Sequence, residues 1–233
     1  MKYHEPKVYV GTYGKYNDGS LKGAWVDLDD FVTYDDFMAY CRKLHGDEKD
    51  PEFMFQDYED IPSAFIGESY LSEDFWDFMN DEDIDENVKY AIIEEEGDYD
   101  SYQRVKDDIM VFPEARTMED VAYAYVDEIG GLEQLGDNLL QQYFDYEGFG
   151  RDVAIEWRPD EDEDGSVYEH YGVGEGDDAA LGEEIINEMG FEGIDMTLYF
   201  DYAEFGRAME NESKFVKYGA DNDGDWGIVE IFG

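Results

Sequence analysis

"YFDYEGFGRD" occupies residues 143–152, and "YFDYAEFGRA" occupies residues 199–208. Seven of the ten positions are identical, and the copies lie 56 residues apart. The likeness extends upstream of both. Thr117 followed by Asp120 has the spacing of a helix capping box. Val121, Tyr125 and Ile129 then recur at the interval of one helix face, and Gly130 supplies a stop. Sixty residues on, Leu181, Ile185 and Met189 repeat that stripe and Gly190 closes it. A connector (131–142, then 191–198) leads from each helix to its cassette. After the first cassette, "VAIEW" and "SVYEHYGV" bracket the turn "RPDEDEDG"; after the second, "KFVKYG" and "WGIVEIF" bracket "ADNDGD". A unit of helix, connector, cassette and acidic-tipped hairpin is therefore expected twice, over about 117–173 and 177–233, as an internal duplication.

Within the first cassette, Tyr143, Phe144, Tyr146 and Phe149 surround Asp145, and Arg151 follows Gly150. The second copy repeats them as Tyr199, Phe200, Asp201, Tyr202, Phe205 and Arg207. Such an aromatic set serves either as packed core, with Arg151 paired to Asp145 through its planar fork, or as a protein–protein contact. The two uses are compatible.

Upstream, the chain reads as a small α+β unit. "KVYVGTY" (7–13) and "LKGAWVDL" (21–28) are strands around "GKYNDGS", whose Asn-Asp-Gly suits a hairpin loop. Thr33 with Asp36 starts a helix carrying Phe37, Tyr40, Cys41 and Leu44, stopped by Gly46, and "EFMFQDY" (52–58) is a third strand. The stretch 62–116 reads as mainly helical and is the most acidic. In "EDFWDFMNDEDIDE" (73–86) a continuous helix would set Asp74, Asp77, Asp81 and Asp85 on one stripe, with Phe75, Phe78 and Met79 toward a core. The whole is an α+β protein, expected as an elongated chain of four segments: 1–61, 62–116, 117–175 and 176–233.

Charge separates the function classes. The chain has 63 Asp plus Glu against 16 Lys plus Arg, a formal net of −47 over 233 residues. Roughly three in four carboxylates therefore have no basic partner, and most must face water and repel one another. By the charge spacing of duplex DNA, 47 charges correspond to about 80 Å of helix axis. The surplus is unevenly placed: residues 1–50 carry a net −3, whereas 51–100 carry 18 acids and one base. Over 73–86 eight carboxylates and no base give, on a helix, one charge per about 2.6 Å, between a single DNA strand and a duplex. This sign excludes binding to nucleic acid or to an anionic membrane surface, and it favours strongly basic partners. With 15 Phe, 20 Tyr and 4 Trp, the chain is too aromatic for a disordered acidic tail. Cys41 is the only cysteine, so no internal disulfide forms. No apolar leader or 18-residue apolar run is present, which makes a cytoplasmic protein the expectation.

Sites of chemistry find little support. Asp160, Asp162, Asp164 and Gly165 match the first half of a calcium-binding loop, but Tyr171 stands where its bidentate Glu belongs and Pro159 breaks the incoming helix. His4, His45 and His170 are scattered without a catalytic spacing. "GVGEG" (172–176) lacks the Lys-Ser/Thr of a phosphate loop. No catalytic residue, metal or cofactor is assigned, and an enzyme is not expected.

The segments "VYVGTYGKYNDGSLKGAWVDL", "MFQDYEDIP", "FIGESY" and "AYAYVDEIGGL" with "LLQQYFDYEGFGRD" resemble the ArdA antirestriction proteins across roughly residues 7–157. The resemblance implies a DNA mimic carried by mobile elements, which occupies the DNA channel of type I restriction-modification enzymes at their methyltransferase core. It implies an elongated homodimer of small α+β domains, with no cofactor and no chemistry. Glu73, Asp74, Asp77, Asp81, Glu82, Asp85, Glu94, Glu95, Asp107, Asp108, Asp120 and Asp127 are the carboxylates expected to stand in for phosphates. Self-association is carried by resemblance to Tyr143, Phe144, Tyr146, Phe149 and Arg151. The second cassette departs from the family pattern, with Ala208 where the first has Asp152. An acidic mimic of DNA aimed at another DNA-binding protein, and a salt-adapted or cation-binding structural protein, are the alternatives.

Overall fold

The computed structural model describes residues 4–157, 165–219 and 226–232. The chain divides into two compact units, one of residues 1–114 with 213–233 and the other of residues 115–212.

The first unit opens with strand β1 (Lys7–Thr12), a short helix α1 (Tyr13–Asn17), β2 (Ala24–Asp27), helix α2 (Tyr34–Leu44) and β3 (Phe53–Glu59). The three strands form an antiparallel sheet in the order β2-β1-β3, with a register irregularity against β3 at Tyr9/Val10. In place of a tight hairpin loop, α1 fills the β1–β2 connection, and Thr12 caps it by accepting from the Lys15 amide. Helix α2 begins as its sequence demands: the Thr33 hydroxyl oxygen accepts from the Asp36 amide, and Phe37 and Cys41 are fully buried. Burial pushes the Cys41 thiol up to about 12, which leaves it an inert core group.

Then come a two-residue hairpin, β4 (Ile66–Gly67) and β5 (Tyr70–Leu71), and three helices: α3 (Asp74–Met79), α4 (Glu86–Glu96) and α5 (Tyr99–Val105). Phe65, Phe75, Phe78, Tyr99 and Tyr102 stack in tilted and edge-to-face contacts, the Phe65–Phe78 centroids lying 5.1 Å apart. Strand β6 (Ile109–Pro113) follows, and the C-terminal β7 (Lys214–Tyr218) and β8 (Gly227–Ile231) complete its sheet in the order β6-β8-β7. All five residues of β8 are buried.

One apolar cluster runs from Val8 and Phe37 through Phe75 and Ile92 to Val229 and Ile231. That shared core joins segments 1–61 and 62–116 and the terminal hairpin into one body, where four separate segments were expected along the chain.

The second unit is helical: α6 (Met118–Glu128), α7 (Asp137–Gln142), α8 (Tyr146–Glu156), α9 (Val167–His170), α10 (Asp178–Met189) and α11 (Tyr202–Glu212). The duplicated helices appear as α6 and α10, and Thr117 with Asp120 forms the full reciprocal capping box. The acidic-tipped hairpin appears only after the second cassette, as β7 and β8. After the first, "VAIEW" continues α8 and "SVYEHYGV" contains α9, so the first hairpin is not formed. The tips 160–164 and 220–225, with Asp160, Asp162 and Asp164, lie outside the described residues. The α+β class holds, with short antiparallel sheets in the first unit.

Glu230 is 4 % exposed within β8, and its Oε2 has no hydrogen-bond partner among the described residues. Burial raises its pKa, so its stabilising contribution is complete below the unfolded carboxyl value of about 4.3 and is lost as pH rises. Asp81 and Asp120 have the opposite sign. The Lys106 ammonium lowers the first and the Arg116 amide the second, so their contributions are lost as pH falls below about 3.9. The melting temperature should therefore rise from pH 7.5 toward 5 and fall below about pH 4. Glu230→Gln should raise it at pH 7.5 and leave it unchanged near pH 4; a gap of equal size at both pH values, read by calorimetry, would show that the Glu230 charge plays no part.

Candidate functional site

The acidic stretch is built around an inward-turned lysine. Lys89, the only base in residues 51–100, is 4 % exposed, and its Nζ donates to the carbonyls of Phe78, Met79 and Asp81 at 2.8, 3.0 and 2.9 Å. It thereby closes the C-terminal end of α3, whose last carbonyls have no helical partner. Asp81 then turns the chain, accepting from the Asp83 amide, and Asp85 caps α4 by accepting from the Asn87 and Val88 amides.

Cap-favouring residues at 80, 81, 83 and 85 compete with the helical backbone. The single helix expected over 73–86 is therefore two helices, and the four-carboxylate stripe is broken. Only Asp74 and Asp77 lie on α3. Asp81 is half-buried, 2.6 Å from the Lys106 Nζ, and the Tyr102 hydroxyl donates to it at 3.5 Å.

The other carboxylates of the expected array divide by whether the fold uses them. Glu73, Asp77, Glu82, Glu94, Asp107 and Asp108 are exposed. Asp74 is half-buried and accepts from the Ser72 hydroxyl at 2.8 Å. Glu95 is bridged by Lys214 at 3.4 Å, with Glu96 at 3.0 Å. Asp120 accepts from the Arg116 and Thr117 amides, and Asp127 is exposed on α6; both belong to the second unit.

A group of His45, Asp47 and Glu48 has ligand atoms within 4.8 Å of one another, as a metal site would. Lys15 already meets all three: its Nζ lies 2.8 Å from His45 Nδ1, 2.8 Å from Asp47 and 2.9 Å from Glu48. The ammonium is the cation there. Sequence reasoning missed this cluster because Lys15 lies 30 residues from His45 and nothing local joins them.

The cassettes meet each other. Phe144 and Phe200 form an antiparallel bridge. The Asp145 amide donates to the Tyr199 carbonyl at 2.7 Å, and the Asp201 amide donates to the Tyr143 carbonyl at 2.8 Å. Asp145 caps α8 by accepting from the Gly148 amide, and Arg151 pairs instead with Glu147 at 2.7 Å and Asp178 at 3.6 Å. The expected Arg151–Asp145 pair is thus not made, because the cap claims the carboxylate. In the second copy Asp201 likewise accepts from the Glu204 amide, and Arg207 is exposed. Tyr143, Phe144, Phe149, Phe200, Tyr202 and Phe205 are all buried, and Tyr146 and Tyr199 pack against the same cores. The cassette aromatics thus lie in two apolar clusters of the second unit.

Residues 8–168 match the family model of the antirestriction protein ArdA. No curated protein matches the chain.

Gly150 packs on the Asp178 carbonyl and Gly206 on the Met118 carbonyl, so closely that a Cβ at either would overlap backbone. Gly150→Ala and Gly206→Ala should each destabilise the protein by about 1–3 kcal/mol, lowering its melting temperature by several degrees. Gly174→Ala, where an added Cβ meets only the Asp177 Cβ at 3.8 Å, serves as control. Equal melting temperatures for all three would mean these helix contacts are not tight.

Proposed function

Because residues 8–168 of its 233 residues carry the family's model, the chain belongs to the ArdA antirestriction proteins, and we propose that it acts as a DNA mimic. In this reading exposed carboxylates of the first unit occupy the DNA channel of a type I restriction-modification enzyme, at its methyltransferase core. The observation that supports it is the disposition of charge between 51 and 100. The one base there is buried, while Glu73, Asp77, Glu82 and Glu94 are exposed with no ion pair among the described residues. A cationic channel that normally releases DNA counterions would release them equally to such an array. The array offers no base edge to read and no base to flip, so the enzyme is occupied without turnover. The inhibitor supplies no chemistry and needs no cofactor.

The four exposed carboxylates also refine the test. Neutralising Asp81 or Asp85 would disturb an ion pair or a helix cap, so loss of inhibition there would confound binding with folding. Inhibition of a type I enzyme should weaken as NaCl rises, with a log–log slope of several units, since each phosphate-like contact contributes about 0.9. The variant E73Q/D77N/E82Q/E94Q should inhibit at least about tenfold more weakly, reduce that slope by up to about 3.6, and keep the wild-type melting temperature. A slope near zero in the wild-type titration would exclude mimicry. Pull-down of an unrelated DNA-binding protein, with the methyltransferase core left behind, would redirect it to another target.

A further inference from the structure

The duplication carries an inference that is independent of which enzyme is bound. The two repeats do not fold side by side. Helix α8, which carries the first cassette, packs on α10 of the second repeat, and α11, which carries the second cassette, packs on α6 of the first. Each repeat lends its cassette helix to the other.

The exchange is reciprocal in detail. Tyr143 packs on Phe200 and Phe205 with centroids 5.9 and 5.2 Å apart, and its counterpart Tyr199 packs on Phe144 and Phe149 at 5.8 and 5.3 Å. Within the copies, Phe144–Phe149 and Phe200–Phe205 are both 5.5 Å. Gly150 meets the carbonyl of Asp178, and Gly206 meets that of Met118, sixty residues earlier. The two backbone hydrogen bonds between the cassettes exchange donor and acceptor in the same way. Residue i of one copy touching j of the other, and j touching i, is the pattern of a twofold-symmetric self-complementary interface, the kind on which homodimers are built.

We propose that residues 115–212 are a dimer joined into one chain: the second repeat supplies in cis the partner that a lone cassette would take from another copy, and the protein is monomeric. Covalent linkage places the two halves at an effective concentration in the millimolar range, above that of any second chain. The bridge and rings that a partner would contact are already covered. The cassette is thus a self-association surface whose partner is its own duplicate, and each molecule carries one acidic first unit per cassette pair instead of two.

The symmetry breaks at two polar contacts. The Tyr199 hydroxyl donates to Asp152 at 3.0 Å, but at the counterpart of Asp152 stands Ala208, and Tyr143 receives a hydrogen bond from Gln142 at 3.0 Å instead. Arg151 has Glu147 and Asp178; at the positions equivalent to these in the other copies stand Ala203 and Met118, whose side chains cannot form an ion pair with Arg207. The halves have become unequal, as fused copies can and identical chains cannot.

Light scattering of the full chain in moderate salt, over about two decades of concentration, tests the proposal. One species of 27.0 kDa is expected throughout; a doubled or concentration-dependent mass overturns it. A second measurement fixes the connectivity. Phe144 and Phe200 are flanked by the hydrogen bonds rather than making them, so they form the close type of antiparallel pair, with Cα atoms about 4.5 Å apart, within disulfide reach. Oxidised F144C/F200C should run on a non-reducing gel as a cross-linked monomer; a covalent dimer would place the pairing between chains and overturn the proposal. Should that double variant fail to fold, the wild-type mass alone decides. Neither readout uses inhibition, so failure here leaves the mimicry reading standing, and failure of mimicry leaves this one standing.

Discussion

With 63 acids and 16 bases, ion pairing cannot hold this chain together, and every other feature answers to that shortage. Cations are placed where one charge does the most structural work. Lys89 closes a helix from inside, Lys106 neutralises half-buried Asp81, and Lys15 gathers His45, Asp47 and Glu48. Lys214 bridges a terminal strand to the end of α4. Cohesion is left to the aromatic side chains, whose burial is indifferent to charge. The surplus carboxylates are then free to serve as a surface.

The same shortage explains the capping. Asp27, Asp85, Asp98, Asp145, Asp177 and Asp195 each accept a backbone amide at the start of a helix or turn. There a carboxylate is stabilised by the orphan amides and by the positive end of the helix. Acids are thus tolerated at high density partly because many sit at helix starts. The consequence for the acidic stretch is that some carboxylates define the shape of the backbone and others only decorate it. Asp85 is of the first kind; Glu82 and Glu94 are of the second. Composition alone counts both alike.

The duplicated region shows how local pattern and tertiary arrangement part company. Helix stripes and aromatic cassettes recur at fixed spacing because each copy encodes the same amphipathic pieces, and those pieces form where the pattern places them. Which helix a cassette packs against is a different matter. Gly150, Gly182 and Gly206 permit close backbone approach, but a glycine does not name its partner, and the crossing of repeats arises only when both copies compete for one another's grooves. The hairpin after the second cassette has a similar lesson. Its strands were readable from alternation and β-branched residues, yet their place beside β6, over a hundred residues upstream, follows from the apolar face of the first unit's core.

By itself the sequence determined the helix starts at Thr33 and Thr117, the strands of the first sheet, the recurring helices and cassettes, the α+β class and the family, because these rest on local periodicity, capping chemistry and order of motifs. Tertiary structure alone decided the closing of α3 by the buried Lys89, the capture of Asp145 as a cap in place of an Arg151 partner, and the Lys15 seat. It also decided the reciprocal exchange of cassette helices. The physical reason is that each of these is a competition: a carboxylate can cap, pair or face water, and a helix face can cover either of two similar grooves. Residue spacing sets the contestants, and only the packed chain, with its few cations already committed, settles the outcome.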